Sequence, residues 1–333
     1  MRCITINEPG REIERLKLTE RPDLQAAGEN VRVRVLATAL NRADILQRRG
    51  LYPAPRGTVQ DIPGLEFVGI VDQCGTEVTR WRGGERVMGI VAGGSYAEQV
   101  VSHQDLLVAV PDALSDTDAA AIPEVFMTAH DALVTLGGLR PGHRVLVHAA
   151  AGGVGSAAIQ IARAFGAREV YGSSQTQSKL DSLSALIGPF LPVLSQQGHF
   201  AAAVQAQVPK GAGMDLILDV LGGVALEQNV QLLAPQGRIV VVGVMAGPSA
   251  ELPLAQLMAK RGQIIGTVLR SRALADKIAT TRAFEREIVP LLAQGVLKPV
   301  VDSVYSFAQI HAATARMEAN ANTGKIILQF PTA

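Results

Sequence analysis

Every second residue of Val31-Arg32-Val33-Arg34-Val35 is apolar, the period of a strand with one face in a core and one in water. Short runs of this kind fill the first third of the chain. Turn residues at Glu8-Pro9-Gly10, Ala26-Ala27-Gly28, Arg82-Gly83-Gly84 and Ala92-Gly93-Gly94 separate them, which predicts many short strands, as in a barrel or sandwich. Past Pro111 the texture changes. A helical stretch spans about 116–136, Arg140-Pro141-Gly142 makes a turn, and the apolar strand Val145-Leu146-Val147 follows. The pattern then alternates: helix 154–165, strand 169–172, strand 216–219, helix 225–233, strand 239–243, with a weak Ala-rich helix around Phe200. Such alternation predicts parallel βαβ units around a buried sheet. The tail holds a helix over 307–319 and a strand at Lys325-Ile326-Ile327-Leu328, expected to return to the first domain. The predicted class is α/β, with a β-rich domain from residues 1–125 plus 296–333 and a doubly wound parallel sheet from 126–295.

The segment Val145-Leu146-Val147-His148-Ala149-Ala150-Ala151-Gly152-Gly153-Val154-Gly155-Ser156 runs an apolar strand into clustered glycines and then a helix. Backbone amides at such a helix start face an anion without side-chain obstruction, and the diphosphate of a dinucleotide is the natural guest. The spacing departs from G-x-G-x-x-G, so alone the cluster reads equally as a tight turn; the flanking strand and helix favour the dinucleotide. No Y-x-x-x-K pair and no G-x-S-x-G elbow occurs, which speaks against short-chain dehydrogenase and hydrolase chemistry.

Composition narrows the classes. Of 333 residues, 48% are hydrophobic and 18% charged, enough apolar side chain for two cores. The 31 basic and 30 acidic residues leave a net charge of +1, so no global field draws a nucleic acid or an anionic membrane. Cys3 and Cys74 are the two cysteines; they build no disulfide framework, and their scarcity suits a reducing compartment. No uninterrupted apolar run of roughly 18 residues and no signal-peptide pattern occurs, so a cytoplasmic protein is expected. Arg42, Arg48 and Arg49 read as a solvated helical face. His103, His130, His143, His148, His199 and His311 form no metal-spaced pair and read as surface or core residues.

Several segments, in chain order, carry a resemblance: Ala39-Leu40-Asn41-Arg42-Ala43-Asp44, Arg49-Gly50-Leu51-Tyr52-Pro53, Ile62-Pro63-Gly64-Leu65-Glu66-Phe67-Val68-Gly69, Ala121-Ile122-Pro123-Glu124, the run from Ala149 to Gly155, and Asn322-Thr323-Gly324-Lys325-Ile326. They resemble the medium-chain dehydrogenase/reductase superfamily, and within it the zeta-crystallin-like quinone oxidoreductase branch, whose A-x-x-G-G-V-G signature the Ala149 to Gly155 run matches. Leu269-Arg270-Ser271-Arg272 with Met317-Glu318-Ala319-Asn320 resembles the tumour-suppressor-inducible members of that branch. The resemblance implies a GroES-like catalytic domain, a Rossmann domain, a homodimer, and reduction of a quinone by NADPH without a metal. It implies Asn41 and Tyr52 as catalytic residues at the interdomain cleft, Asn41 also touching cofactor. Further implied cofactor contacts are Thr128, Gly152, Gly153, Val154, Gly155, Gly243, Met245, Leu269, Ser271 and Asn322. Tyr52 reads alternatively as a packing residue, and Met245 and Leu269 as pocket walls.

An NAD-binding Rossmann unit places an acid at the carboxyl end of its second strand, about 20 residues past the glycines, to hold the ribose hydroxyls. Here that end reads Tyr171-Gly172-Ser173-Ser174-Gln175-Thr176, without an acid; Glu169 lies at the other end. Ser174 and Thr176, with Lys179, suit a 2′-phosphate, which favours NADPH; otherwise they cap and solvate the next helix. The branch carries Gly at the Gln175 position and a phosphate-contacting Tyr at Ser195, so a weakened phosphate site is expected. Zinc-dependent superfamily members carry Cys at the Asn41 position and His before the acid of Gly64-Leu65-Glu66. Both ligands are missing, as is the four-cysteine structural lobe.

A quinone takes hydride without a Lewis acid, so positioning supplies most of the expected catalysis. Two other readings stand beside it: reduction of alkenals or enones, and a cofactor-binding structural or RNA-interacting role. Neutral charge and the lack of an aromatic-basic platform speak against RNA. The apolar run Ile264-Ile265-Gly266-Thr267-Val268 is expected to be a sheet edge that a second copy covers.

Overall fold

In the computed structural model, which describes residues 1–331, the chain divides into two units. One comprises Thr128–Val268 and Val296–Lys298. Its sheet runs Leu191–Leu194, Glu169–Ser174, Arg144–Val147, Met214–Asp219, Leu233–Val241, Gln263–Gly266, every neighbouring pair parallel. That order is doubly wound: the build-up reverses direction between Arg144–Val147 and Met214–Asp219, and ligands of such sheets bind outside the carboxyl ends of those two strands. Val145, Leu146, Val147, Leu216, Ile217 and Leu218 have no exposed surface, the continuous burial typical of parallel strands under helices. The helix Gly153–Ala164 starts directly behind the first strand. A Cβ on Gly155 would lie 2.3 Å from the Ala149 carbonyl oxygen and 2.7 Å from Ala150 Cα, so only glycine lets the helix start this close to the strand end.

The other unit comprises Met1–Met127, Leu269–Gly295 and the chain from Pro299 on. Its main sheet runs Val301–Ser306, Lys325–Gln329, Asn30–Ala39, Glu66–Cys74, Arg86–Ile90, Leu107–Ala109, with Gln99–His103 also paired to Asn30–Ala39. Arg2–Ile6 and Leu16–Glu20 form a separate antiparallel ribbon. The alternation read in the sequence is realised: Val31, Val33 and Val35 are buried and join Phe67, Trp81, Tyr96, Phe307 and Phe330 in one core. The late strand Lys325–Gln329 lies antiparallel to Asn30–Ala39, with Ile327 opposite Ala39.

Several sequence expectations are revised. The stretch 116–136 is three pieces, Asp116–Ala120, Pro123–His130 and a π-helical turn Asp131–Leu136; Pro123 lacks the N–H that would continue the first. Leu269–Gly295, expected in the dinucleotide domain, clusters with the β-rich unit, where Arg282 pairs with Asp105 and Arg80 with Glu285. Its helix, Leu274–Glu287, buries only Thr280, Thr281 and Phe284, too thin an apolar stripe to read from sequence. Arg48 leaves the expected solvated face: it is 1% exposed and meets Glu318 at 2.5 Å. Among the described residues no helix is long and apolar enough to cross a membrane.

Among the described residues Gln263–Gly266 is the edge of its sheet, paired to Leu233–Val241 on one side. We propose that a second copy of the chain pairs along this edge, where unpaired backbone groups otherwise face water. Sedimentation at micromolar concentration is then expected to give a dimer, and a monomer contradicts the pairing.

Candidate functional site

The carboxyl edge of the parallel sheet gathers most of the residues assigned to cofactor. Gly152 is the N-cap of the helix Gly153–Ala164, with Val154 and Gly155 in its first turn, so the amides that lack helical partners there suit an anion. The Ala150 N–H donates to the Ser173 carbonyl at 2.8 Å, which ties this turn to the end of the second strand. Ser174 ends that strand, and its hydroxyl accepts from the Thr176 N–H at 3.3 Å. Thr176 is the N-cap of the helix Gln177–Ile187, whose first turn holds Lys179. Gln175 is exposed, and the N–H of buried Ser195 donates to the Ser174 carbonyl at 2.8 Å. No carboxylate stands at this strand end. The first acid after it, Asp181, accepts from Gln177, and Glu169 is held at the far end by Arg144 and the Tyr171 hydroxyl.

Gly243 and Met245 lie in the loop after Leu233–Val241, at the same edge. The Met245 N–H donates to the Val220 carbonyl at 3.2 Å, and a Cβ on Gly243 would come within 2.9 Å of that oxygen. Met245 is 57% exposed. Thr128 sits on the helix Pro123–His130, away in sequence from the strand ends.

Beneath this edge runs a buried polar chain that no sequence motif announces. Asp219 Oδ2 accepts from Asn229 Nδ2 at 3.0 Å, so the Asn229 oxygen faces His148 Nε2 at 2.8 Å and must accept its proton. His148 Nδ1 is then the acceptor for the Ser173 hydroxyl at 2.8 Å. Burial holds the imidazole below its ordinary pKa, against the pull of Asp219 and Asn229, which agrees with this neutral tautomer. Asp219 Oδ1 takes the N–H groups of Leu221 and Gly222. The ends of three adjacent strands are thereby tied together at the switch point. His148 is a core residue, one of the two alternatives read from the sequence.

The β-rich unit holds a second polar group, built around a carboxylate with no exposed surface, Glu66. Its Oε1 accepts from Asn41 Nδ2 at 2.9 Å and Lys325 Nζ at 2.6 Å, and its Oε2 from the Glu124 N–H at 2.9 Å. Lys325 Nζ also donates to Asn41 Oδ1 at 2.7 Å and to the Leu40 carbonyl at 2.8 Å. Both ends of the Asn41 amide are therefore engaged by protein. Asp44, in the first turn of the helix Arg42–Arg48, accepts from Asn41 N, Gly64 N and the Tyr96 hydroxyl. Burial raises its pKa against those donors. Gly64 has φ +97°, and a Cβ there would lie 2.4 Å from the Tyr96 ring, so the approach that lets its N–H reach Asp44 requires glycine.

Tyr52 is half-buried, and burial pushes its hydroxyl above the ordinary pKa, so it stays a neutral donor. The buried Arg270 guanidinium lies 5.0 Å from the centre of its ring and donates to its backbone carbonyl at 3.1 Å, to Gln47 Oε1 at 2.5 Å and to the Ala92 carbonyl at 2.7 Å. Leu269 is buried beside it and Ser271 is exposed. The Asn322 amide donates to the Gly324 carbonyl at 2.7 Å, inside its own turn. The structure thus joins Asn41 to Glu66, Lys325, Asp44 and Glu124, and Tyr52 to Arg270. Of these partners the sequence offered one signal, a lysine heading the apolar strand Lys325–Gln329, where an unpaired charge is not tolerated.

Two families match the chain, the zinc-binding dehydrogenases over residues 153–285 and the alcohol dehydrogenase GroES-like domain over residues 27–112. The synaptic vesicle membrane protein VAT-1 homolog of Rattus norvegicus is 32% identical over 98% of this chain and 84% of its own length. A phenolphthiocerol/phthiocerol polyketide synthase of Mycobacterium tuberculosis is 33% identical over 98% of this chain, which spans 15% of that relative's length. Among solved structures, a quinone oxidoreductase of Pseudomonas syringae pv. Tomato DC3000 has a TM-score of 0.87 at 29% identity, covering 98% of this chain and 99% of that one. CurK enoyl reductase has a TM-score of 0.86 at 27% identity, covering 99% of each chain. The chain belongs to the medium-chain dehydrogenase/reductase superfamily, nicotinamide-dependent oxidoreductases that join a GroES-like unit to a Rossmann unit.

The carboxyl edge fits a dinucleotide: glycines at the helix start, a strand end without an acid, and a strand-helix approach only Gly155 permits. Zinc, which one family description names, does not fit. The Lys325 ammonium already contacts both Glu66 and Asn41, and among the described residues no three His, Cys, Asp or Glu side chains form a metal-holding group.

Replacing Lys325 by Met leaves the buried Glu66 carboxylate without its cation, so a loss of about 3–5 kcal/mol is expected. Denaturant unfolding checks this, and the double variant Lys325→Met with Glu66→Gln should recover a substantial part.

Proposed function

We propose that the protein is an NADPH:quinone oxidoreductase that works without a metal. The observation that carries this reading is the contact of the Lys325 ammonium with Glu66 and Asn41. With a lysine as the local cation, no Lewis acid polarises the acceptor, and an acceptor that is electrophilic by itself suits such a site. The nicotinamide, when bound, supplies the hydride. The chain's own residues bind and orient. The glycine-led helix start receives the diphosphate, and Ser174, Thr176 and Lys179 receive the 2′-phosphate in place of the carboxylate that would repel it. The neutral Tyr52 hydroxyl, steadied by Arg270, donates a hydrogen bond to the acceptor oxygen. Asn41, with its amide held at both ends, positions its neighbours and takes no part in bond making. Likeness to CurK enoyl reductase supports a second reading, reduction of a C=C bond conjugated to a carbonyl.

NADPH oxidation followed against a panel of quinones and enones tests both readings; turnover of neither class contradicts both. Dissociation constants for NADPH and NADH should differ by at least about tenfold, with the gap narrowed by Lys179→Ala, and equal affinities contradict the NADPH assignment. Tyr52→Phe should raise KM and change kcat by less than about tenfold, the pattern of lost uniform binding. A fall of about a hundredfold in single-turnover hydride transfer, with cofactor still bound, would instead make Tyr52 a catalytic acid.

A further inference from the structure

We propose that Glu124 holds the proton that completes the reduction. This rests on the quinone or enone reductase reading. Glu124 is the second residue of the helix Pro123–His130, and its N–H on Glu66 pins it beside the Asn41, Glu66 and Lys325 group. Among the described residues its own carboxyl makes no hydrogen bond. It lines a cavity of about 30 Å³ with Leu65, Ala92, Leu269, Arg270 and Lys277, room for a water or two. Arg270 is the residue that holds Tyr52, so the unbonded carboxyl and the oriented phenol share one neighbour.

The groups that face Glu124 come from several elements. Glu66 and Asp44 disfavour its charge, Lys325 and Arg270 favour it, Lys277 lines the same cavity, and Tyr52 is neutral. Burial outweighs them all and, with Glu66, pushes the carboxyl up to about 8. At neutral pH it is a proton donor in reach of water, which an ordinary glutamate is not.

Hydride addition delivers two electrons and one hydrogen, leaving the acceptor as a hydroquinone monoanion or an enolate, one proton short of product. The Glu124 O–H bond breaks, and its proton passes by way of cavity water to form the new O–H or C–H bond. Solvent water then returns a proton to the carboxylate. No further oxidant or reductant enters.

Two measurements on the full chain test the assignment. The folded state keeps a proton that the unfolded chain releases above its ordinary pKa of 4.5. The stability this contributes is fully present below about pH 4.5 and is lost as pH rises through about 8. Wild-type Tm should therefore fall relative to that of Glu124→Gln from about pH 5 to about pH 9; a constant difference overturns the proposal. With an acceptor that the wild type reduces, the rate should decline above about pH 8. Glu124→Gln should lose that decline and run about a hundredfold slower at pH 7. If the wild type is active and Glu124→Gln keeps both the pH profile and a rate within about threefold, this proposal alone is overturned. If the wild type reduces no quinone or enone, the reductase reading fails, and this proposal with it.

Discussion

A carboxylate removed from water costs several kcal/mol unless a cation and hydrogen-bond donors meet it. Glu66, with no exposed surface, imposes that requirement on the β-rich unit. Its own strand cannot satisfy it. The donors come from the end of the strand Asn30–Ala39 through Asn41, from the start of the helix Pro123–His130 through the Glu124 N–H, and from the last strand through Lys325. A slip of one residue in Lys325–Gln329 would turn the lysine to the opposite face of the sheet and strand the carboxylate. The ion pair therefore adds little net stability but penalises wrong registers heavily. It makes the C-terminal segment part of the unit that the first third of the chain begins.

The dinucleotide unit depends on a different constraint, close approach of backbone. Gly155 lets the helix start sit on the strand end, and the run Ser173, His148, Asn229, Asp219 links the strands on either side of the switch point. Asn229 turns its amide nitrogen to Asp219 and so presents its oxygen to histidine, and histidine presents a bare nitrogen to serine. A chain of defined polarity rigidifies the edge without leaving a charge on the histidine.

Legibility in the sequence followed the reach of each interaction. Local period gave the strand around Val31–Val35 and the parallel alternation from Val145 onward, because both are set by neighbours a few residues apart. The family's glycine run gave the helix start. The strand Leu191–Leu194, four residues long with a proline, gave no period to read. Arg48 looked solvated because its partner, Glu318, is remote in the chain. Asn41 was legible as a special position, yet its partners were not: Glu66 and Lys325 lay within quoted motifs, but only the sheet register brings their side chains to the same point. Glu124 had no sequence signal beyond its motif, since nothing local distinguishes a desolvated glutamate from a solvated one.

The charge balance of the β-rich unit explains why Glu124 differs from its neighbours. Glu66 and Asp44 each accept three hydrogen bonds, with every oxygen engaged. Lys325 and the buried Arg270 are the cations that face this group, with Lys277 on the wall of the Glu124 cavity. The Glu124 carboxyl lacks the donors that meet the other two, and burial with the neighbouring Glu66 disfavours its charge more than Lys325 and Arg270 favour it. Protonation is the least costly way to keep it there. A reductase needs one proton for each hydride it delivers, and a carboxyl pushed up to about 8 can release a proton near neutral pH and take it back.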